Sequence, residues 1–489
     1  MDSSELAKSL SSKDILVSPD ALELLSKYEN ALEIVDMIAK NESAIVITKE
    51  HVEKYAKREE KIPSFVEVVR SSDFKPIARE YEPEIRILDT TGNGNGGCKG
   101  SVEDFVSYFR DRYRKMASLL RTRPTSDGIS PLSSLQDYIK GRKVRIIGIV
   151  SSKETTKNGH IKIDLEDEDA TVPVIFMKNS PCFEEGRNIL LDEVVAIDGE
   201  IFSPPAVIAK RVVWPDLPIR DQPKRTEKDI AIAFLSDIHI GSKHFLARNF
   251  ANMISWLNGA WGDKKDRELA GKVKYLLIAG DISDGVGIYP KQEKELVIKD
   301  IYEQYKMFCD LMKGIPDYVE VIVAPGNHDA VRRAEPQPRL PKELVDEACI
   351  RSVDNPCRME IEGLKTLMYH GTSLDSIIAA LPNMSYETPE KAMIELLKRR
   401  HLSPIYGENP IVPENRDRMI IAEEPDIVHM GHIHKNGYET YRGAVVINSG
   451  TWQDRTDFQI KQGHMPTPCL LPVYEAKYGK INVIDFTSA

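Results

Sequence analysis

The sequence predicts a multidomain protein with a layered α/β domain, a small all-β barrel and an N-terminal helical module. Its 489 residues exceed the length of one typical domain. The spacing of apolar residues is helical near the N-terminus, has a period of two over residues 140–213, and then becomes a series of short apolar runs separated by helical stretches. We expect four segments: a helical module (1–60), a linker that contains a helix (61–130), a barrel (131–220) and an α/β domain (228–489).

The composition is that of a soluble globular protein, with 41% hydrophobic and 29% charged residues. The formal net charge of −10 argues against a protein that is basic overall, although it is compatible with a local basic groove for nucleic acid. No run of 18 apolar residues predicts a membrane span, and the N-terminus lacks the pattern of a signal peptide, so we expect a cytoplasmic protein. The six cysteines contain no CxxC motif, which predicts reduced thiols.

The N-terminal segment 13–59 has helical spacing. Ser18 is in the position of a helix N-cap, and Pro19 is in the first helical position. Apolar residues then recur on one helical face: Leu22, Leu25, Leu32, Val35 and Ile38. This pattern predicts a packed helical module, and the docking of a partner is the functional alternative.

The next segment combines a glycine-rich stretch with a helix. Residues 89–101 are rich in glycine and asparagine, which predicts a flexible linker, and they lack the GKS or GKT of a phosphate-binding loop. Residues 102–124 predict a helix whose basic side chains cluster at 110–123. That cluster is consistent with a contact to phosphate or with a solvated helix face.

Residues 140–213 predict a run of short strands. In "HIKIDLED", Ile161, Ile163 and Leu165 alternate with charged residues. Four further runs share this character: "KVRIIGIVSS", "TVPVIFM", "EVVAIDGEIF" and "AVIAKRVVW". Five short strands predict a small antiparallel barrel of the OB type. Such barrels often bind single-stranded nucleic acid, but aromatic residues are sparse here, and a scaffold role is the alternative.

The chain after the proline-rich stretch 215–229 predicts a layered α/β domain. Several short runs there have the nearly continuous apolar character of buried strands: "AIAFL", "YLLIA", "VEVIVA", "TLMYH", "DIVHM" and "AVVIN". Helical stretches at 245–257 and 388–400 separate some of these runs. Strands that alternate with helices are typical of a sheet covered by helices.

Residue types that bind metals follow five of these strands. Ligands in open α/β sheets gather at the ends of strands, so we expect these side chains to share one site. In chain order they are Asp237 and His239, then Asp281, then Asn327 with His328 and Asp329, then His370, and finally His432 with His434. Glycines are expected to let the backbone turn sharply beside them: Gly280, Gly326, Gly371 and Gly431.

The ligand types predict a catalytic centre with two metal ions. A set of nitrogen and oxygen ligands without cysteine suits manganese, iron or catalytic zinc better than structural zinc. Seven candidates exceed what one ion takes from a protein, and they divide into two sets of four if Asp281 bridges. Such two-metal sites are typical of phosphoester hydrolysis. Each motif is weak alone, and His429, which lies inside a strand, is interpreted as structural.

The ordered motifs "SDIHIG", "AGDISD", "PGNHDA", "YHG" and "GHIH" resemble the calcineurin-like metallophosphoesterase superfamily. The resemblance implies that one metal is held by Asp237, His239, Asp281 and His434. It implies that the second is held by Asp281, Asn327, His370 and His432. His328 takes the place of the residue that protonates the leaving group or stabilises the transition state, and Asp329 would orient it.

Longer blocks resemble a narrower family, the small subunits of archaeal family-D DNA polymerases. They include "PGNHDAVRRAEPQPRLPKE", "RHLSPIYGENPIVPE", "PDIVHMGHIHKNG" and "YRGAVVINSGTWQDRTDFQ". The resemblance implies a large catalytic polymerase subunit as partner, DNA as substrate, and 3'→5' proofreading exonuclease activity, usually with manganese. Magnesium, iron and zinc are the other metals considered.

Three functions are therefore compared. The first is the exonuclease subunit just described, for which Arg332 and Arg333 would hold a DNA phosphate unless they only form surface salt bridges. The second is a stand-alone phosphatase or phosphodiesterase. The third is a polymerase subunit without nuclease activity that acts as an assembly scaffold, with the barrel and the C-terminal "TPCLLPVYEAKYGKINVIDF" as docking elements.

Overall fold

A computed structural model gives the fold of this chain. It describes residues 10, 16–26, 31–32, 34–35, 38, 46–56, 71, 73–88, 98–124, 128–345, 350–456, 459–460 and 463–487. The chain divides into two units, Met1–Ser64 and Phe65–Ala489. Within the described residues, no helix is both long enough and apolar enough to cross a bilayer.

The N-terminal unit is a small module with its own apolar core. Strands β1 (Leu16–Val17) and β2 (Val46–Ile47) pair in parallel, and helices α1 (Pro19–Leu25) and α2 (Lys49–Ala56) follow them. Ser18 and Pro19 stand at the N-cap and first position of α1, as predicted, although the Ser18 side chain makes no capping hydrogen bond. Of the predicted apolar face, Leu25, Val35 and Ile38 are buried, and Leu22 and Leu32 are half-buried against the same cluster.

Parts of the predicted linker are built into the fold. Residues 89–97 of the glycine-rich stretch lie outside the described residues. Strand β3 (Ile85–Ile87) pairs with a later strand, and helix α3 (Val102–Arg121) confirms the predicted helix. Ser101 and Asp104 form a capping box at the start of α3, which satisfies two backbone N–H groups of its first turn.

The predicted five-stranded barrel is present and closed, but it is not wholly antiparallel, because one pair of neighbouring strands is parallel. Its strands are β4 (Lys143–Thr155), β5 (Ile161–Glu166), β6 (Thr171–Phe176), β7 (Val194–Ser203) and β8 (Ala206–Val213), in the order β4-β5-β6-β8-β7. A short helix, α4 (Phe183–Arg187), connects β6 to β7. Buried and half-buried residues alternate along β5, because one face of this strand points into the apolar core of the barrel. The 3₁₀ turn Leu132–Asp137 adds two leucines to that core.

Two six-stranded sheets make up most of the remaining chain. The first has the order β12-β11-β10-β9-β18-β19, and the second has the order β16-β17-β15-β14-β13-β3. The strands of the first are β9 (Ala231–Leu235), β10 (Val273–Ala279), β11 (Glu320–Ala324), β12 (Arg351–Ser352), β18 (Leu470–Glu475) and β19 (Lys480–Asp485). Those of the second, besides β3, are β13 (Cys357–Ile361), β14 (Leu364–Met368), β15 (Ile427–Met430), β16 (Asn436–Tyr441) and β17 (Ala444–Ser449).

The two sheets pack face to face over a shared core. Side chains of the first sheet such as Phe234 and Leu277 lie in the same buried cluster as Met368 and Ile447 of the second. Helices α8 (Leu374–Ala380) and α9 (Pro389–Arg399) cover the other face of the second sheet, where a separate buried cluster forms. Three further helices connect strands of the first sheet or follow them: α5 (Ala247–Leu257), α6 (Lys264–Ala270) and α7 (Ile301–Met312). A 3₁₀ turn at Ile77–Glu80 and another at Gln292–Lys294 complete the elements.

The C-terminal segment contributes two strands to the first sheet. Strand β18 pairs with β9 and β19 pairs with β18. Leu471, Val473 and Tyr474 are buried there and belong to the core. Strand β19 forms an edge of the sheet, and docking of a partner by this segment stays a prediction. The described cysteines are all free thiols, as predicted, and Cys349 lies outside the described residues.

Candidate metal centre

The predicted ligands meet where the ends of the two sheets come together. Strands β9, β10 and β11 are parallel neighbours, so Asp237, Asp281 and Asn327 follow them at one edge of the first sheet. Strands β14 and β15 are parallel neighbours in the second sheet, which brings His370 and His432 to its corresponding edge. Because the sheets pack face to face, these two edges form a single cluster of polar side chains.

The first group of ligand atoms belongs to Asp237, His239 and His434. The His434 Nε2 atom lies 3.3 Å from Asp237 Oδ1 and 3.1 Å from His239 Nε2. The His239 Nε2 atom lies 3.8 Å from Asp237 Oδ1 and 3.9 Å from Asp281 Oδ2. One nitrogen or oxygen atom from each of Asp237, His239 and His434 lies within 4.8 Å of the other two, which is close enough for all three to bind one ion.

The second group contains Asp281, Asn327 and His370. The His370 Nε2 atom lies 2.8 Å from Asn327 Oδ1 and 3.4 Å from Asp281 Oδ2. Asp281 Oδ2 therefore lies within 4 Å of ligand atoms from both groups. This is the position that a bridging carboxylate needs.

His432 lies beside the second group but makes a different contact. Its Nε2 atom lies 2.9 Å from Asp375 Oδ2, and its ring centre lies 5.2 Å from that of His370. Its backbone N–H donates to Asp237 Oδ2 at 2.9 Å. Among the described residues, the sets of His and carboxylate atoms that lie within 4.8 Å of one another do not include His432. Its Nδ1 atom is the one left for an ion.

The chemistry of this cluster fits a divalent cation. Asp237 Oδ1 is fully buried and accepts no hydrogen bond, which is costly for a carboxylate unless a cation neutralises it. His370 Nδ1 lies 2.7 Å from the Ala279 carbonyl and donates to it, which leaves the lone pair of Nε2 for a metal. His239 Nδ1 lies 3.0 Å from Asp284 Oδ1, so the same reasoning applies to its Nε2 atom.

Four of these residues have a left-handed backbone. The φ angles are 50° at Asp237, 54° at His239, 51° at Asp281 and 66° at His432. Non-glycine residues adopt this region at a cost of roughly 1–2 kcal/mol each, and such strain is concentrated at functional sites. At these four positions, the predicted ligand residue itself adopts the left-handed backbone that a sharp turn needs, and a neighbouring glycine is not the only residue that does so.

The neighbouring glycines serve two different purposes. Gly280 and Gly371 have φ angles of 88° and 110°, as expected for sharp turns. Gly326 and Gly431 have ordinary φ angles, and their role is close approach. A Cβ atom on Gly326 would lie 2.1 Å from Asp281 Oδ1, and one on Gly431 would lie 2.4 Å from Asp237 Oδ2. At Gly326 and Gly431 the observed need for glycine is therefore space beside a carboxylate, and no left-handed backbone is involved.

Comparison with known proteins gives the family. Residues 232–437 match the family model of the DNA polymerase alpha/epsilon B-subunits. The chain is 42% identical over 436 residues to the DNA polymerase II small subunit of Methanocaldococcus jannaschii, covering 87% of this chain and 72% of the relative. It is 38% identical over 493 residues to the one from Archaeoglobus fulgidus, covering 97% of this chain and 96% of the relative. The chain belongs to the archaeal DNA polymerase II small-subunit family. These are the family-D small subunits that its sequence blocks resemble.

A solved structure of an archaeal phosphodiesterase also overlaps with this small subunit. The overlap covers 52% of the chain and 99% of the phosphodiesterase, at 15% identity and a TM-score of 0.25. A score this low supports no conclusion about fold.

The electrostatics of the small subunit's cluster favour positive charge. Burial alone would lower the pKa of His370, but the Asp281 carboxylate raises it to about 10. Burial opposes protonation of His239 too, and the hydrogen bond and charge of Asp284 raise its pKa to about 9. Without an ion, the carboxylates thus hold protons on these imidazoles. A divalent cation would take the place of those protons.

His328 lies at the edge of the cluster. Its Nδ1 atom lies 2.9 Å from the Asp284 carbonyl and donates to it, and its Nε2 atom lies 3.9 Å from Asp281 Oδ2. Its backbone N–H donates to Asp281 Oδ1 at 2.8 Å. Asp284 therefore orients His328 through its backbone and His239 through its side chain. The spacing "GDISD" is the sequence signal that could have identified Asp284.

Asp329 has a different role from the predicted one. Its carboxylate accepts hydrogen bonds from the loops around it, whereas the His328 ring donates to the Asp284 carbonyl. The donors are the backbone N–H groups of Ile282, Ser283 and Gly326 and the hydroxyls of Ser283 and Tyr305. Since it connects the loop after β10 to the loop after β11, Asp329 braces the positions of Asp281 and Asn327.

The two arginines that follow are placed differently from each other. Arg332 is half-buried and donates to the Pro336 carbonyl at 2.6 Å and to Glu414 at 3.2 Å. Arg333 is exposed and donates to the Ile288 carbonyl at 3.1 Å. The contacts of Arg332 favour the salt-bridge interpretation, whereas Arg333 has its charge at the surface near the cluster.

The cluster opens into a cleft of about 300 Å³. Several residues that sequence reasoning did not single out line it: Asp284, Tyr289, Asp375, Tyr386, Lys435, Gln459 and His464.

His429 is not one of the residues that line the cleft. It is buried inside β15, where its Nε2 atom lies 2.9 Å from Ser449 Oγ, and burial lowers its pKa to about 3. His429 is thus a core residue in the structure.

Proposed function

We propose that this small subunit is a metal-dependent 3'→5' exonuclease that hydrolyses DNA phosphodiesters, with a calcineurin-like metallophosphoesterase layering of its two sheets. The observation that carries the proposal is the convergence of five strand ends on one cluster of buried nitrogen and oxygen ligands. Asp281 stands between two groups of ligand atoms, within 3.9 Å of His239 and 3.4 Å of His370. Ligand sets of this kind, beside a histidine that is not needed as a ligand, suit phosphoester hydrolysis.

Two divalent ions would be held, and manganese is the metal we expect, with magnesium, iron and zinc as the alternatives. One ion would take Asp237, His239, Asp281 and His434, and the other Asp281, Asn327, His370 and His432. Bound ions would supply Lewis acidity toward the phosphate and an activated water. The unsatisfied Asp237 Oδ1 atom and the Nε2 atoms of His239 and His370 support this ligand set.

The chain's own residues would manage the proton of the leaving group. The Asp284 carbonyl holds the Nδ1–H of His328, so its Nε2 atom is directed to the cleft. A protonated Nε2 there is placed to donate to the departing 3' oxygen of the strand. This is general acid catalysis by an imidazole, which is typically worth about 10²–10⁴-fold in rate. Arg333, near the mouth of the cleft, is the candidate contact to a DNA phosphate.

The family implies a partner for this activity. We infer that a large catalytic subunit of the polymerase binds this chain and delivers the 3' end of the primer to the cleft. The barrel would be an OB-type domain that serves the assembly as a scaffold, since its strands carry few aromatic residues.

The test uses the full chain, alone and reconstituted with its large subunit. A primer–template with a 3' mismatch and a 5' label is incubated with Mn²⁺, and the primer length is followed with time. Stepwise shortening in both preparations supports the proposal. Hydrolysis of a small phosphodiester or monoester with the primer intact would favour a stand-alone phosphatase or phosphodiesterase. A metal-loaded chain that hydrolyses neither, but binds the large subunit, would be a nuclease-inactive scaffold.

A further inference from the structure

Three aromatic rings line the cleft in front of the candidate metal centre. The Tyr289 ring lies 6.4 Å from the ring of His328. The rings of Tyr386 and His464 lie 4.1 Å apart at an angle of 34°, so they form a tilted stack. These two groups come from loops that are distant in sequence, and the proposed mechanism gives none of them a role.

We propose that Tyr289 and the Tyr386–His464 stack are specificity-determining residues that hold the terminal nucleobase of a DNA strand while its phosphodiester lies at the metal centre. This inference rests on the proposed exonuclease function. It adds to that function a requirement for a base at the cleaved end, which the metal ligands alone do not impose.

The size and the lining of the cleft fit one unpaired nucleotide. A volume of about 300 Å³ is at the lower end for ligand clefts, which suits a ligand of the size of one nucleotide. Every base has a π face, so stacking on aromatic rings holds any of the four without reading sequence. An exonuclease that removes the terminal nucleotide of strands of any sequence needs to bind the base without distinguishing which base it is.

The rings remain accessible at the rim. Tyr289, Tyr386 and His464 are each half-buried, so part of each ring faces solvent. Met465, which also lines the cleft, is 55% exposed. Tyr386 also packs against the buried cluster beneath α8 and α9, which fixes the position of its ring while part of it stays accessible.

Charge near the stack suits a nucleotide as well. Lys435 lines the same cleft, and its Nζ atom lies 2.6 Å from Glu387 and 3.2 Å from the Met465 carbonyl. These contacts place one cation beside the loop that carries His464. A phosphate of the bound strand would compete with Glu387 for this cation.

The stack is also connected to the metal centre. Burial and the neighbouring Asp375 carboxylate raise the pKa of the Tyr386 hydroxyl to about 12. The same carboxylate lies 2.9 Å from His432 Nε2. A base stacked on Tyr386 would thus lie close to Asp375, whose carboxylate contacts His432, a proposed ligand of the second ion.

The test compares two single strands, one ending in an ordinary nucleotide and one ending in an abasic tetrahydrofuran residue. Both are offered to the Mn²⁺-loaded full chain. The wild type should remove the ordinary end about tenfold faster, a ratio that corresponds to stacking of one base. Tyr386→Leu and Tyr289→Leu should each reduce this ratio toward one, because the rate on the ordinary end should fall more than the rate on the abasic end. Tyr386→Phe, which keeps the ring, should retain the ratio.

Tyr302→Leu is the matched control, because Tyr302 is 65% exposed on α7 and does not line the cleft. It should leave both rates unchanged. Metal content of each variant shows that the centre is intact. Equal removal of ordinary and abasic ends by the wild type, or an unchanged ratio in both leucine variants, overturns the inference while the exonuclease proposal stands. If the wild type shortens neither strand, the exonuclease proposal fails and the inference fails with it.

Discussion

The Nε2 atom of His239 lies 3.1 Å from the Nε2 atom of His434, although the two residues are 195 positions apart in the chain. His239 follows a strand of the first sheet, and His434 follows a strand of the second. An ion held between them would therefore tie the two sheets together. Since a ligand that binds only the folded state stabilises it, Mn²⁺ should raise the unfolding temperature of the chain, and a chelator should reverse the effect.

The two ligand sets predict how single substitutions change metal content. His434→Ala should lose one of two bound ions, and His370→Ala should lose the other, because each removes an imidazole from one set only. Asp281→Ala should affect both ions, since its carboxylate stands between the sets. Metal per chain is measured by mass spectrometry after dialysis. An Asp281→Ala protein that keeps two ions would contradict the bridging role.

His328 should matter for catalysis and not for metal content. His328→Ala removes the proposed proton donor and should slow primer shortening by about 10²–10⁴-fold. The protein should still bind its ions and its large subunit, because the ring contacts only the Asp284 carbonyl at hydrogen-bond distance. Rate, metal content and complex formation are measured on the same preparation. Loss of assembly together with activity would contradict the separation of these roles.

Gly326 should tolerate no side chain. In Gly326→Ala the new Cβ would lie 2.1 Å from Asp281 Oδ1, so this carboxylate must move away from its place between the ligand sets. We expect loss of bound metal and of nuclease activity. Gly271→Ala is the matched control, because its nearest neighbour, Pro76 Cα, lies at an ordinary 3.4 Å. Equal metal binding by both variants would show that the Asp281 carboxylate can make room for a side chain at position 326, which would contradict this prediction.

Metal binding should release protons. The pKa values of His239 and His370 are raised to about 9 and about 10, so both imidazoles carry protons at neutral pH without an ion. Ion affinity should therefore rise with pH up to about 9–10. The folding stability of the metal-free chain should change with pH in the opposite direction. The raised pKa values stabilise the fold fully below about pH 6.5, and this stabilisation is lost as the pH rises toward 10. Calorimetry of Mn²⁺ binding in buffers of different ionisation enthalpy counts the protons, and a count of zero would contradict this picture.

The buried pair of Arg112 and Asp417 should be important for stability. Arg112 Nε donates to Asp417 Oδ2 at 2.7 Å, and both side chains are almost fully buried between α3 and the loop before β15. Asp417→Ala would leave the guanidinium charge unpaired, which typically costs about 3–5 kcal/mol. Glu168→Gln, which breaks the exposed pair with Arg114, is the control and should change stability far less. Denaturant unfolding measures both.

The same pair gives a second readout in acid. Burial alone would raise the pKa of Asp417, but the charges of His401 and Arg112 hold it well below its usual range. Its stabilising contribution is therefore present above pH about 4 and is lost as pH falls further. The Asp417→Ala protein should lack this part of the acid-induced loss of stability.

Much of the fold could be predicted because apolar periodicity reports burial directly. The alternation in β5 and the apolar runs of β9, β10 and β15 are all observed as expected. The edge strands β3 and β19 were missed, since they are short or half-exposed and carry a weaker pattern. Helix α3 was predicted, but the burial of Arg112 was not, because its partner Asp417 lies 305 positions away.

The candidate site, like the fold, could be predicted only in part from the sequence. Residue types at strand ends predicted which polar side chains lie together, because parallel strands bring their ends to one edge. Which atom of each side chain faces the centre could not be predicted. His432 directs Nε2 to Asp375, and Asp329 bonds the loops and leaves His328 to the Asp284 carbonyl. These choices depend on rotamers and on residues from other loops, which no local pattern contains.

The central claim is that the converging strand ends hold two ions that share Asp281. Anomalous diffraction from crystals of the full chain with Mn²⁺ tests it most directly. We predict two peaks about 3.5–4 Å apart, both within ligand distance of the Asp281 carboxylate. A single peak in a nuclease-active protein, or peaks away from Asp281, would contradict the claim.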